Sequence, residues 1–354
     1  MQVFTNCQLI LEDEIISGTI AIADNGIIHD ISTTGYSGSE TEDMNGDYLM
    51  PGLIEMHTDN LEKNIQPRPG VIWPSTMAAT IAHDTQIIGA GITTVYDALA
   101  VGAVQRSDLR MQILEGSVQA ISRGVELELY KADHFIHLRC EIGNELMEEM
   151  LHKHQKCSLL GIISIMDHTP GQRQWRDIEK WRTFHRDKQW SEEKVEKILE
   201  ELRLNQKKFA ESNRAAALNF ARKRNLVLAS HDDTTVEDTM QSAENGMKIC
   251  EFPTTLEAAM QSRKKGMKNI MGAPNVVRGS SHSGNVSASL LAENRLLDGL
   301  SSDYVPSSLI QAVFHLSEKL ELPLNETTAM VSTNISEMVG LKDRGALRVG
   351  LIGD

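Results

Sequence analysis

The stretch Tyr48-Leu-Met-Pro-Gly-Leu-Ile-Glu-Met-His-Thr-Asp-Asn-Leu-Glu-Lys63 decides how the rest of the chain is read. After the Pro51-Gly52 turn, an apolar run (Leu53, Ile54, Met56) carries His57 and Asp59 at alternate positions. Residues i and i+2 of a strand share a face. An imidazole and a carboxylate therefore converge at a strand end, a donor pair suited to a divalent ion. Taken alone, the stretch also reads as a buried strand with a polar exit, and its neighbours must decide.

Downstream of Pro51 the pattern alternates strand with helix, the signature of a parallel α/β fold. A helix over 75–89 stops at Gly89-Ala-Gly91, and Ile92–Asp97 is a β-branched strand. A helix over 109–123 leads to Phe135–Glu141, where His137, Arg139 and Glu141 share one face. Leu159–Met166 is an almost continuous apolar run, as in a strand buried on both faces, and delivers Asp167-His168. Leu226–Ala229 delivers Ser230-His-Asp-Asp233, and Ile249–Phe252, Asn269–Gly272 and Gly299–Ser302 follow, the last delivering Asp303. Eight such strands predict a (β/α)8 barrel over 51–339.

Upstream, Val3–Leu11, Gly18–Ala23, Gly26–Ile31 and Asp47–Met50 predict a small β-domain over 1–50, with a tight turn at Asp24-Asn-Gly26 and a short contribution from about 340–354. Between His168 and the next strand lies an excursion over about 169–225. Its second half is a helix with Ser191 as N-cap and Val195, Ile198, Leu199 and Leu202 at helical spacing. Its first half places Trp175, Trp181 and Trp190 among arginines and lysines. That half reads first as an amphipathic surface element or subunit contact, and only secondarily as a nucleic-acid surface. Its position after a strand end also suits a lid over the barrel mouth.

Composition narrows the function classes. The 354 residues carry a formal net charge of −14 with no basic arm, which argues against general nucleic-acid binding. Cys7, Cys140, Cys157 and Cys250 form no Cys-x-x-Cys pair, so neither a disulfide framework nor a cysteine–zinc site is expected. With no signal peptide or membrane-spanning run visible, the expectation is a cytoplasmic enzyme, with homo-oligomerisation left open. His29, His83, His152, His154 and His185 read as surface or local packing residues. His57, Asp59, Glu141, His168, His231 and Asp303 differ because each sits at or just past the end of an apolar strand, where barrel enzymes place their active sites.

These blocks resemble the amidohydrolase superfamily of metal-dependent barrels, and more narrowly the PhnM-type family of ribose triphosphate diphosphatases in phosphonate breakdown. The narrower resemblance rests on Glu55–Lys63 with Pro67-Arg-Pro-Gly70, Ala132–Glu141, Asp167–Gln174, Ser230–Asp233, Gly272–Arg278 and His282–Asn285. It implies hydrolysis of α-D-ribose 1-methylphosphonate 5-triphosphate to the 5-phosphate and diphosphate, within the carbon–phosphorus lyase pathway. It further implies one or two divalent ions, zinc or manganese, on His57, Asp59, Glu141, His168, His231 and Asp303. Glu141 would bridge them, or else a carboxylated lysine, for which Lys131 is the nearest candidate. Asp303 would be the general base. The anionic substrate would meet Lys63, Arg68, Arg139, Arg173, Arg278, His282 and Asn285. Three departures stand out: His57-x-Asp59 in place of the superfamily's His-x-His, a harder oxygen donor that leaves zinc and manganese both open; Ser280 where a second glycine is expected; and a chain that stops soon after Gly350, predicting a curtailed small domain. The rival readings are amide hydrolysis or deamination of a cyclic or nucleobase-like substrate, and a metal-free scaffold.

Overall fold

A computed structural model describes residues 1–35, 41–103, 109–188, 190–281 and 284–354. The first five strands, β1 (Gln2–Ile10), β2 (Ile15–Ile22), β3 (Ile28–Ser32), β4 (Glu42–Asp43) and β5 (Tyr48–Leu49), form one sheet. In it β3, β2 and β1 are antiparallel neighbours, while β4 and β5 both pair with β1 in parallel. Its core is Cys7, Leu9, Ile20 and Ile28, joined by Leu347. The chain end lies against β3: Ile28 N–H donates to Leu351 O at 2.8 Å, and Gly350 N–H donates to Ile28 O at 2.9 Å.

The remaining strands are β6 (Leu53–Thr58), β7 (Ile92–Val101), β8 (Asp133–Glu141), β9 (Leu160–Met166), β10 (Val227–His231), β11 (Ile249–Glu251), β12 (Lys268–Gly272) and β13 (Gly299–Ser301). They pair in parallel in chain order, and β6 meets β13 through a bridge between Thr58 and Asp303. Eight parallel strands thus form a (β/α)8 barrel. Ile54, Met56, Tyr96, Ile162, Ala229, Ile249 and Ile270 come from six of its strands and pack together in the interior, joined by Ile335 from the helix Thr333–Val339. That plug fills the barrel. Two larger apolar clusters lie between the strands and the surrounding helices.

The helices that matter for the site are α1 (Asn60–Ile65), α2 (Thr76–Gly89), α3 (Leu109–Glu126), α4 (Met147–Lys153), α5 (Ile178–Phe184) and α6 (Glu192–Arg224). Ser75 caps α2, its side chain accepting from Ala78 N–H. The excursion after β9 holds α5 and the 33-residue α6. Its tryptophans form a core of their own: Trp175, Trp181 and Leu199, with Trp190, Val195, Ile198 and Leu202 packed around them. Ser191 caps α6 and Asn225 ends it in the left-handed conformation. No helix among the described residues is long and apolar enough to cross a membrane.

Candidate metal centre

The seam where β13 returns to β6 builds the first half of the site. Asp59 N–H donates to Asp303 O at 2.7 Å, and Asp303 N–H donates to His57 O at 3.2 Å. Beneath them the buried Glu55 carboxylate accepts from the backbone N–H of both His57 (2.7 Å) and Ser302 (2.5 Å), clasping the first strand to the last. The pairing of β6 with β7 shifts register between Glu55 and Thr58, an irregularity of the kind that re-aims side chains beside active sites. Met56 therefore packs inside the barrel while His57 and Asp59 face its mouth.

The second half comes from the ends of β9 and β10. His168 follows β9, His231 ends β10 and Asp232 follows it. Asp232, Phe252 and Asp303 have φ of 57°, 55° and 54°, so three strand exits turn through the left-handed region that non-glycine residues rarely occupy. Such outliers cluster where side chains must be aimed. Two donor groups face the cavity, His57/Asp59/Asp303 and His168/His231/Asp232, each with its ligand atoms within 4.8 Å of one another, and a deeper set, His57/His137/Glu251, shares His57 with the first. The two cavity groups adjoin: the His57 and His231 rings are 5.7 Å apart between centroids.

The second donor group suits a metal because partners of its buried atoms are missing. His231 is 5% exposed, yet neither ring nitrogen makes a hydrogen bond, and Asp232 Oδ2 and Glu251 Oε2 are equally unpartnered. His231 Nδ1 lies 2.9 Å from Asp232 Oδ2 without hydrogen-bond alignment. Buried polar atoms left this way cost about 1–3 kcal/mol each, a cost that coordination removes. His57 is held ready, its Nδ1 3.1 Å from Glu251 Oε1. Burial and the neighbouring Arg139 keep the His57 imidazole well below its usual pKa, and burial lowers His231 as well. Neutral imidazoles are the ligating form. A third His/Asp group, His83/Asp97/His134, is different: its nitrogens and carboxylate oxygens hydrogen-bond one another, leaving nothing for an ion to satisfy.

The cavity above the donors measures about 290 Å³. Of the residues picked from sequence, His57, Asp59, His168, His231, Asp303, Arg139, Arg278 and Asn285 line it together. Several others stand elsewhere. Glu141 is behind the site, its carboxylate accepting from His168 Nδ1 at 2.6 Å and from His168 N–H at 3.1 Å; it fixes the His168 ring and belongs to neither donor group at the cavity. Lys131 precedes β8 and lies a whole strand away from the mouth, roughly 30 Å at about 3.3 Å per residue. A carboxylated Lys131 bridge is therefore out of reach. The buried Arg173 guanidinium is taken by Asp233 and His231 O. Lys63 donates to Tyr304 O and stacks over the Tyr304 ring, while Arg68 sits exposed in a turn bridged to Val71. His282 lies outside the described residues. Ser280 lines the cavity without a positive φ, so its departure from glycine carries no backbone strain.

Two residues of the mouth, Arg110 and Gln174, escaped the sequence reading, as did Asp232 among the donors. Arg110, at the start of α3, donates from Nη2 to Asp59 Oδ2 at 3.0 Å and from Nε to Glu62. Arg139 Nη1 donates to the other Asp59 oxygen at 2.5 Å. The two guanidiniums outweigh burial and hold Asp59 below the usual carboxylate range, whereas burial and the charge on Asp59 push Asp303 up to about 7. Gln174, on the short turn Arg173–Trp175, brings the excursion to the cavity wall.

No protein-family model matches the chain. It is 40% identical over 357 residues to the alpha-D-ribose 1-methylphosphonate 5-triphosphate diphosphatase of Escherichia coli K12, covering 99% of this chain and 93% of that protein. Among solved structures, an uncharacterized metal-dependent hydrolase from Pyrococcus furiosus aligns with a TM-score of 0.65 at 10% identity, over 99% of this chain and 97% of that one. A 5-methylcytosine deaminase from Klebsiella pneumoniae aligns with a TM-score of 0.62 at 12% identity, over 97% and 87%. Those two likenesses speak for the fold. The identity to the first relative, over nearly the whole chain, speaks for more: this protein belongs to the alpha-D-ribose 1-methylphosphonate 5-triphosphate diphosphatase family, on a (β/α)8 barrel.

Proposed function

We propose that the chain hydrolyses α-D-ribose 1-methylphosphonate 5-triphosphate to the 5-phosphate and diphosphate, with one or two divalent ions held by His57, Asp59, Asp303, His168, His231 and Asp232. The observation that carries this is the adjacency of a donor set whose buried His231 and Asp232 atoms lack hydrogen-bond partners and a rim of guanidiniums (Arg110, Arg139, Arg278) around one cavity. A cyclic amide or nucleobase gives such a rim no anion to hold, whereas a triphosphate does. Bound there, the ions would acidify water and add positive charge beside the phosphates.

The chain's own residues do the rest. Asp303 accepts a proton from the attacking water. The water oxygen bonds to the α-phosphorus, the bridging bond to the β-phosphate breaks, and its electron pair leaves on diphosphate. Arg139 and Arg278 stabilise the charge that develops on the phosphate oxygens. Asn275 and Asn285, also on the cavity wall, offer neutral donors for the sugar. The mixed donor set, with carboxylates in both groups, leaves zinc and manganese as the ions to try. Phosphorus NMR of the manganese- or zinc-loaded protein with the triphosphate tests the reading. Diphosphate in step with the 5-phosphate is the expected outcome, and orthophosphate as the first product contradicts it.

A further inference from the structure

Outside the cavity, between α2 and β7 and β8, lies a buried polar chain that the reaction does not use. Its members are Asn60, His83, Asp84, Asp97 and His134, each 4% exposed or less. Every contact in it assigns a proton. Asn60 Nδ2 donates one hydrogen to Gln86 Oε1 at 2.7 Å and the other to His83 Nδ1 at 3.0 Å. His83 Nδ1 is therefore an acceptor, and the ring carries its proton on Nε2, donated to Asp97 Oδ1 at 2.7 Å. His134 lies between two carboxylates, with Nδ1 2.8 Å from Asp97 Oδ2 and Nε2 3.3 Å from Asp84 Oδ1. Both are acceptors, so this ring is an imidazolium. Asp84 is fixed in turn by the backbone N–H groups of Lys131 and Ala132, each at 3.0 Å.

The other end of this chain reaches the metal donors. Asn60 is the first residue of α1, and Asp59 is its N-cap. An aspartate in that position ordinarily turns its carboxylate back onto the helix's first N–H groups. Asp59 makes no such bond; its carboxylate faces Arg110, Arg139 and the cavity instead. The start of a six-residue helix then needs another anchor, and the Asn60 side chain supplies it. The Asn60 N–H also donates to Thr58 Oγ1 at 3.2 Å, whose hydroxyl donates to Asp303 O at 2.8 Å.

We propose that Asp97, acting through His83 and Asn60, is a positioning residue that holds the Asp59 carboxylate turned toward the cavity for metal binding. This rests on the reading of Asp59 as a ligand. Cutting the relay lets the start of α1 relax, and Asp59 can then cap its own helix in competition with the ion. The test is calorimetric titration of the full-length protein with Mn²⁺, beside thermal melting, for wild type, Asp97→Asn and Asn60→Ala. Partners behind metal ligands typically contribute about 10- to 100-fold to affinity. Both variants should bind Mn²⁺ about tenfold more weakly or worse. Should Asp97→Asn not fold, Asn60→Ala decides alone, because it leaves the His134 ion pairs in place. Lowered melting temperatures with an unchanged Mn²⁺ dissociation constant would overturn the proposal in favour of a purely structural network. A wild type that binds no Mn²⁺ would instead remove the metal reading beneath it, and the proposal with it.

Discussion

Asp59 and Asp303 are neighbouring carboxylates that the fold drives apart in acidity. Two guanidiniums hold the first ionised, while burial and the first's charge raise the second to about 7. Paired groups separated in this way are how one site supplies both a ligand and a base. Replacing Asp303 by Asn keeps the shape and removes the proton acceptor. Turnover should fall by roughly 10²- to 10⁴-fold, the usual contribution of a general base, with little change in melting temperature; near-native turnover would take Asp303 out of that role. Arg278 is a different case, a cation on the cavity wall. Arg278→Met should raise KM for the triphosphate about 10- to 100-fold, since a hydrogen bond to a charged group contributes about 1.5–3 kcal/mol. Arg68→Met, in its exposed turn, should leave KM unchanged in the same assay. Sequence could show His57-x-Asp59 because strand alternation is local. It could not choose among His231-Asp232-Asp233, where the backbone turn at Asp232 sends Asp233 to Arg173, Ser230 and Ser242 instead. Arg173 passed for a phosphate ligand for the same reason, because its claimant is 60 residues downstream.

Among the elements, β7 and β8 were legible as strands, yet their outward-facing polar residues carry a charge network that periodicity does not reveal. The sequence predicts a strand over Ile92–Asp97; β7 continues to Val101, and Asp97 is buried in mid-strand against α2. His83 reads from sequence as local packing, whereas its hydrogen bonds place it between Asn60 and Asp97 in the buried chain. The network has a pH signature. Burial opposes charge on His134, but Asp97 and Asp84 outweigh it and raise the imidazolium to about 9. The unfolded value is about 6.5. The pair's contribution is therefore fully present below about pH 6.5 and is lost as pH rises through about 9. Urea midpoints measured without metal should fall between pH 7 and 9.5, and His134→Gln should flatten that slope whatever it does to absolute stability. An equally steep slope in the variant would assign the effect to other groups.

For the whole molecule, the decisive fact is that the candidate donors come from chain segments far apart in sequence: β6, the exits of β9 and β10, and the exit of β13. An ion on them therefore ties first strand to last and both to the middle of the barrel. The second half of α6 packs into a barrel cluster and Arg173 is held by the exit of β10, but the tryptophan-bearing part of the excursion, α5 and the first turns of α6, is outside that tie. The Trp175–Trp181–Leu199 core of that part is separate from the barrel's clusters, and Gln174 brings it to the cavity wall. Binding to the folded state alone stabilises by mass action, about 2.7 kcal/mol when free metal is a hundred times its dissociation constant. That energy should appear only where the donors are. Mn²⁺ should raise the melting temperature of the barrel by several degrees and a chelator should reverse the rise, while Asp59→Ala should abolish the response. Trp181→Ala, which empties a side chain only 1% exposed, should cost the excursion about 3–5 kcal/mol of local packing. Limited proteolysis of this variant should then cut between α5 and the first turns of α6 while the Mn²⁺-dependent rise in melting temperature persists. If that rise vanished with Trp181, the excursion would have to be part of what holds the donors together, and the barrel could not be the unit that the metal stabilises.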